Sequence, residues 1–211
     1  MGLVKKLFCI KINQYREELC RYTTPTVRYW AALNGWEYIE ITERKFNGYP
    51  ITLEKLQVRD FIDGCDHAAV VDADIIIRPD LECPTSIQEP GIVWASYGFE
   101  ASTRFNNLKG QALSGGFYGT SKESFCLWDL PNLNDALEGT KENTHLIDEW
   151  CIAYNITKHN LQYNGIDHDP DRYIMHFGSE LICQGIDLGV EQARNVWNDL
   201  AYLWPDLKKF Y

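Results

Sequence analysis

The chain has 211 residues, enough for one domain whose core needs no covalent staples. Lys and Arg total 20 against 30 Asp and Glu, and the formal charge of -10 argues against a nucleic-acid or anionic-membrane surface as the main partner. The cysteines at 9, 20, 65, 83, 126, 151 and 183 are odd in number, lack any Cys-x-x-Cys pair and sit mostly in apolar runs, so they read as reduced core residues in a reducing compartment.

The first residues include lysines, but the apolar stretch is soon interrupted and no small-residue cleavage site follows, so residues 6–12 read as a first strand. Gly2 lacks the Ser or Thr that a myristoylation signal wants where Lys6 stands. No run approaches the roughly 20 apolar residues of a membrane span. The expectation is a cytoplasmic protein, bacterial or from a virus-infected cell, or else one domain of a longer polypeptide. Residues 13–16 form a polar loop at the carboxyl end of the strand. Thr24-Pro25 then reads as an N-cap with proline at the first helical position, followed by an apolar stripe of Val27, Trp30, Ala31 and Leu33 that Gly35 closes. Residues 36–42 are a second strand, and this βαβ opening is the mark of a parallel sheet.

Residues 52–63 read as a helix that offers Leu53, Leu56 and Phe61 to the core and places Lys55 and Arg59 one turn apart on a shared face. It leads into residues 67–79, where an apolar run reads as a buried parallel strand delivering Asp72 and Asp74 to the carboxyl edge of the sheet. Open α/β sheets bind ligands at that edge. Two carboxylates one residue apart repel each other unless a hard cation lies between them, so this Asp-x-Asp spacing asks for a metal.

Residues 91–97 read as a further strand and 99–111 as a loop over the site. The glycine pair after Ser114, Gly115 and Gly116, reads as a strand interior that either approaches something closely or carries a bulge. Ser121 caps a helix through residue 127, residues 132–143 are a polar connection, and Thr144 caps a helix bearing Asp148, Glu149 and Trp150. The run Asp167, His168, Asp169, Pro170 and Asp171 reads as an acidic turn rather than a second metal site. Residues 173–178 are short and extended, and 190–211 form an aromatic-rich terminal helix. There is no repeat and no low-complexity linker.

Five stretches in this order, Leu56-x-x-Arg59, Asp72-Ala73-Asp74, Leu113-Ser114-Gly115-Gly116-Phe117, Asp148-Glu149 and Met175-His176-Phe177-Gly178, carry a resemblance. Over about residues 5–180 the chain resembles nucleotide-sugar glycosyltransferases of the GT-A fold, particularly their glycogenin-like and galactosyltransferase-like retaining groups, and among them a glycosyltransferase domain of chlorella-virus type. The resemblance implies a Rossmann-like α/β fold, with a mostly parallel central sheet flanked by helices in a single domain over 1–211. The nucleotide-binding half would occupy about 1–80, the acceptor and catalytic half about 81–185, and the C-terminal helix about 190–211. It also implies transfer of a hexose from a UDP-sugar to a glycan or other hydroxyl acceptor, with retention.

On the same pattern Asp74 binds the metal most directly, Asp72 is shared between metal and ribose, and His176 completes the ligands. That mixed shell favours Mn2+, with Mg2+ as a substitute. Asp148, then Glu149, would lie near the anomeric carbon, and Ser114, Gly115, Gly116 and Gly178 beside the donor. Where the glycogenin-like pattern has a lysine after the glycine, this chain has Ser179 and Glu180, which leaves Lys55 and Arg59 as the donor's cations. Tyr15 offers a ring to stack on the base. Each of these residues has a plainer reading: aspartates capping a turn, a satisfied histidine, cations on a solvated face, acids on an amphipathic helix.

A phosphatase of the haloacid dehalogenase type also ends a strand in Asp-x-Asp, but its motif comes near the chain start and wants Thr or Val where Ile76 stands. A sugar nucleotidyltransferase would need glycine in the loop at 13–16, which has none. A non-catalytic sugar- or nucleotide-binding module is the third alternative, suited by 7 tryptophans and 12 tyrosines.

Overall fold

The structure is a computed structural model that describes residues 2–13, 16–105, 107–166, 173–177 and 186–211. Tyr15, Gly178, Cys183 and the acidic turn at 167–171 lie outside the described residues. In chain order the elements are β1 (Lys5–Ile10), α1 (Glu17–Leu33), β2 (Glu37–Ile41), a 3₁₀ helix (Ile51–Asp60), β3 (His67–Val71), β4 (Ile75–Ile77) and α2 (Pro84–Ile87). After them come β5 (Val93–Ala95), β6 (Gly98–Glu100), β7 (Gln111–Leu113), β8 (Phe117–Ser121), α3 (Leu133–Gly139), α4 (Ile147–Lys158), β9 (Tyr163–Gly165), β10 (Ile174–His176) and α5 (Ile186–Leu203).

Six strands make one central sheet in the order β2-β1-β3-β8-β5-β9. β1 runs parallel to β2 and β3, β5 runs parallel to β9, and β8 is antiparallel to both its neighbours. The alternation of side chains along a strand explains why both faces are apolar. Leu7, Cys9, Ala69 and Val71 face a cluster with Val27, Trp30, Trp36 and Trp94, while Phe8, Ala68 and Val70 face the cluster of Leu53, Leu56, Trp128 and Ile152. Cys9, Cys65, Cys83, Cys126 and Cys151 are free thiols, and burial raises those of Cys9 and Cys151. No helix among the described residues is long and apolar enough to cross a membrane.

Several elements differ from the sequence reading. α1 begins at Glu17, not at Thr24, and Pro25 lies inside it. An interior proline costs about 3 kcal/mol in an isolated helix, but here Leu19, Cys20, Thr23, Val27, Trp30 and Ala31 are all buried along one helix. Glu17 and Glu18 also suit its first turn. The polar stretch at 132–143 contains α3, with the Asn132 side chain accepting from the amide of Asn134 as an N-cap. The expected loop at 99–111 is partly a hairpin, β6 pairing antiparallel with β7. The glycine pair lies in the turn between β7 and β8, not inside a strand.

The segment read as a helix over 52–63 is a 3₁₀ helix, and this separates Lys55 from Arg59. Four residues span about one and a third turns at 3.0 residues per turn, so the two side chains leave on different faces. Glu54, with no exposed surface, anchors this helix to the preceding loop: it accepts from the amides of Lys45 and Phe46, both at 3.0 Å, and pairs with Arg44 at 3.2 Å.

Candidate active site

β3 ends at Val71, so Asp72 is the first residue past the carboxyl edge of the central sheet. Its amide donates to the carbonyl of Gly116 at 2.7 Å, which ties the strand end to the glycine turn. Ile75 closes a tight turn back onto the Asp72 carbonyl at 3.3 Å, and that turn presents Asp74. β10 then pairs antiparallel with β4, placing His176 opposite Ile75, and the amide of Phe177 donates to the Asp74 carbonyl at 2.9 Å. His176 and Asp74, far apart in the chain, thus meet because a two-stranded ladder joins their strands.

The outcome is a trio. Asp72, Asp74 and His176 each offer a ligand atom within 4.8 Å of the others. His176 Nε2 lies 3.2 Å from Asp74 Oδ1 and 3.8 Å from Asp72 Oδ2. Burial pushes the Asp72 carboxyl up to about 6, Lys55 opposes the shift and Asp74 adds to it. For His176, burial works against the cation, but the hydrogen bond to Asp74 and the charges of Asp74 and Asp72 prevail and the pKa is raised. Two carboxylates and an imidazole so disposed fit a divalent cation, which would relieve the repulsion between the acids.

Lys55 is the centre of the second part. Its side chain is 7% exposed, and Nζ lies 2.7 Å from Asp72 Oδ1, 2.9 Å from Asp148 Oδ2 and 2.8 Å from the carbonyl of Gly115. The three donors of an ammonium match these three acceptors. Burial opposes the charge, yet Asp148 and then Asp72 hold the lysine well above its usual range. A β-carbon on Gly115 would stand 2.6 Å from Asp148 Oδ2 and 2.8 Å from Lys55 Nζ, so the close backbone approach expected of the glycines is met here. On Gly116 it would stand 3.0 Å from Ile75 Cδ1.

Asp148 and Glu149 enter from the first turn of α4, and both are buried. Glu149 Oε1 accepts from the Gly115 amide at 3.0 Å and Oε2 pairs with Arg104 at 2.6 Å. Burial, then the charge of Asp148, push the Glu149 carboxyl up to about 7 against the pull of the Gly115 amide and Arg104. The Arg104 guanidinium also lies 5.1 Å over the ring of Phe99.

Of the residues singled out in the sequence, Lys55, Asp72, Asp74, Gly115, Gly116, Asp148, Glu149 and His176 come together. Ser114 precedes the glycine turn, and its amide donates to the carbonyl of Tyr97 at 3.0 Å, outside this group. Arg59 does not join them: it is exposed and pairs with Asp129 at 3.0 Å. Two cations of the site escaped the sequence reading. Arg104 lies in a stretch with no periodicity, and Arg16, which pairs with Asp74 at 3.3 Å, lies in a polar loop where nothing marks one arginine above another.

A mixed six-stranded sheet with one internal antiparallel strand, its Asp-x-Asp turn at the carboxyl edge and a histidine returning to it on a β-ladder, is the GT-A fold of glycosyltransferases. The first solved structure to compare is a glycosyltransferase involved in the glycosylation of the major capsid of PBCV-1. It matches with a TM-score of 0.57 over 90% of this chain and 99% of that one, at 12% identity. The glycosyltransferase GlyE of Streptococcus pneumoniae TIGR4 matches with a TM-score of 0.53 over 99% of this chain, at 12% identity, and the chain spans 64% of GlyE. At such identity the likeness is one of fold. No family model matches the sequence, and no curated protein matches it.

Proposed function

We propose that this chain is a metal-dependent glycosyltransferase that moves a hexose from a UDP-sugar to a hydroxyl of a carbohydrate acceptor, with retention of anomeric configuration. The observation that carries the reading is the Lys55 ammonium, which bridges the metal-binding trio at Asp72 to the acidic pair at Asp148, on the ligand-binding edge of the sheet. Two solved structures that share its fold are glycosyltransferases, which favours this chemistry over the phosphatase and the silent binding module.

In this reading Asp72, Asp74 and His176 hold a divalent ion, Mn2+ with Mg2+ as a substitute. The ion would neutralise charge gathering on the diphosphate as it leaves. Lys55, Ser114, Gly115 and Gly116 line the donor sugar, and Tyr15 and Gly178 are assigned to the donor on the sequence pattern. The halves follow the same division, with the nucleotide on residues up to about 80 and the acceptor on those beyond. The bond between the anomeric carbon and the phosphate oxygen breaks with its electron pair going to the diphosphate. The acceptor oxygen bonds to that carbon on the same face, and its proton passes to the departing phosphate. Asp148, fixed by Lys55, faces the positive charge that develops on the sugar. Glu149 positions the Gly115 amide and carries the second carboxyl of the site.

The test is donor hydrolysis over a panel of UDP-hexoses with Mn2+, followed by proton NMR of the released sugar before mutarotation. Release of the anomer present in the donor, and its loss by about a hundredfold or more in D148N, are expected. Release of the opposite anomer would transfer the role to a general base and contradict retention.

A further inference from the structure

A nucleoside diphosphate entering this site brings negative charge to Asp72, Asp74, Asp148 and Glu149, so it needs a cation with donors to spare. Lys55 has spent its three on Asp72, Asp148 and Gly115. Arg104 is engaged with Glu149 and half exposed. Arg16 differs from both. Its side chain is 11% exposed, Nη1 lies 3.3 Å from Asp74 Oδ2 and also donates to the Phe177 carbonyl, and Nη2 is buried with no hydrogen-bond partner among the described residues. A buried donor without an acceptor is uncommon and points to something that supplies one. The residue is also held at φ 41°, ψ 48°, a left-handed conformation costly for a side chain with a β-carbon.

We propose that Arg16 is the diphosphate-binding cation of the donor site. Nη1 holds Asp74 Oδ2, and the rigid fork of the guanidinium keeps Nη2 beside the metal-binding trio, where it donates to a phosphate oxygen. This assignment rests on the nucleotide-sugar reading and adds to it a residue on α1's leading edge.

R16Q separates the two bonds. Mn2+ binding is read by the electron paramagnetic resonance signal of the free ion, without nucleotide, and UDP binding by calorimetry at saturating Mn2+. The expected result is a loss of UDP affinity of about tenfold to a hundredfold, the range of one charge-assisted hydrogen bond, with Mn2+ affinity within about threefold of wild type or tighter. UDP affinity equal to wild type would overturn the proposal. So would a parallel loss of Mn2+ affinity, since Arg16 would then only hold Asp74 in place. If R16Q does not fold, R16K carries the same test, with a smaller loss expected because it keeps the charge and loses the fork. Wild-type protein that binds no UDP fails the underlying reading, a result distinct from an R16Q that binds UDP as wild type does.

Discussion

Lys55 Nζ and Asp148 Oδ2 form an ion pair of 2.9 Å in which both side chains are almost fully withdrawn from solvent. Such a pair is a poor source of stability but dangerous to break, because the survivor is left as an uncompensated buried charge. Replacing Lys55 by Met leaves both Asp72 and Asp148 without their cation. K55M is therefore expected to lose about 3–5 kcal/mol in urea unfolding. Mn2+ should restore part of the loss by supplying positive charge at Asp72. A variant as stable as wild type would show that the pair is not the electrostatic centre of the site.

The turn at Gly115 sets how closely backbone approaches that pair. G115A would place a methyl group 2.6 Å from Asp148 Oδ2 and 2.8 Å from Lys55 Nζ. The lysine and the acid must part to admit it. Donor turnover should fall by about tenfold or more while the melting temperature moves by only a few degrees, because the loss is one of alignment. Turnover at the wild-type rate would mean that Lys55 and Asp148 need not touch.

What the sequence disclosed about this site follows from how local each signal is. Asp72 and Asp74 were legible because a short apolar strand ending in two acids is a local pattern, whereas Asp148 and Glu149 were reached through the resemblance, and the Thr144 cap expected for their helix is not formed: α4 begins at Ile147 with no side-chain cap. His176 was reached only through the resemblance of its neighbours, since the ladder of β10 on β4 that delivers it is a tertiary contact. Lys55 and Arg59 were assigned together on the assumption of 3.6 residues per turn, and the 3₁₀ geometry divided them. Pro25 misled because proline marks helix starts by propensity, while the long buried face of α1 is a matter of packing. α3 was hidden because only Leu133, Ala136 and Leu137 mark its apolar side in a polar stretch.

Glu54 tests the support beneath the site. Its carboxylate, wholly buried, receives the Lys45 and Phe46 amides and Arg44. E54A leaves those donors without an acceptor and should cost about 2–4 kcal/mol in urea unfolding. It should also weaken donor turnover by loosening the 3₁₀ helix that carries Lys55 at the next position. A change within about 0.5 kcal/mol would show that water replaces the carboxylate freely.

The pH dependence has a definite sign. The Glu149 carboxyl stands at about 7 in the folded protein against an ordinary value of 4.5. A raised carboxyl contributes stability that is fully present below 4.5 and is lost as pH rises through 7. Asp72, raised to about 6, acts in the same direction. Urea unfolding of the protein in EDTA should therefore show a fall in stability from about pH 5 to about pH 8. The fall should be smaller in E149Q, which keeps the contributions of Asp72 and of His176, whose pKa is also raised. Equal falls in the two proteins would mean that Glu149 does not titrate in this range.

The most direct measurement of the central claim is a calorimetric titration of UDP into wild-type and D74N protein, each with Mn2+ and again with EDTA. Asparagine preserves the size of Asp74 and removes its charge, so the turn from Asp72 to Ile75 should survive. The account predicts UDP binding by wild type that disappears with EDTA and is lost in D74N although that variant remains folded. UDP binding that persists in EDTA or in D74N, or no binding by wild type with Mn2+ present, would contradict it.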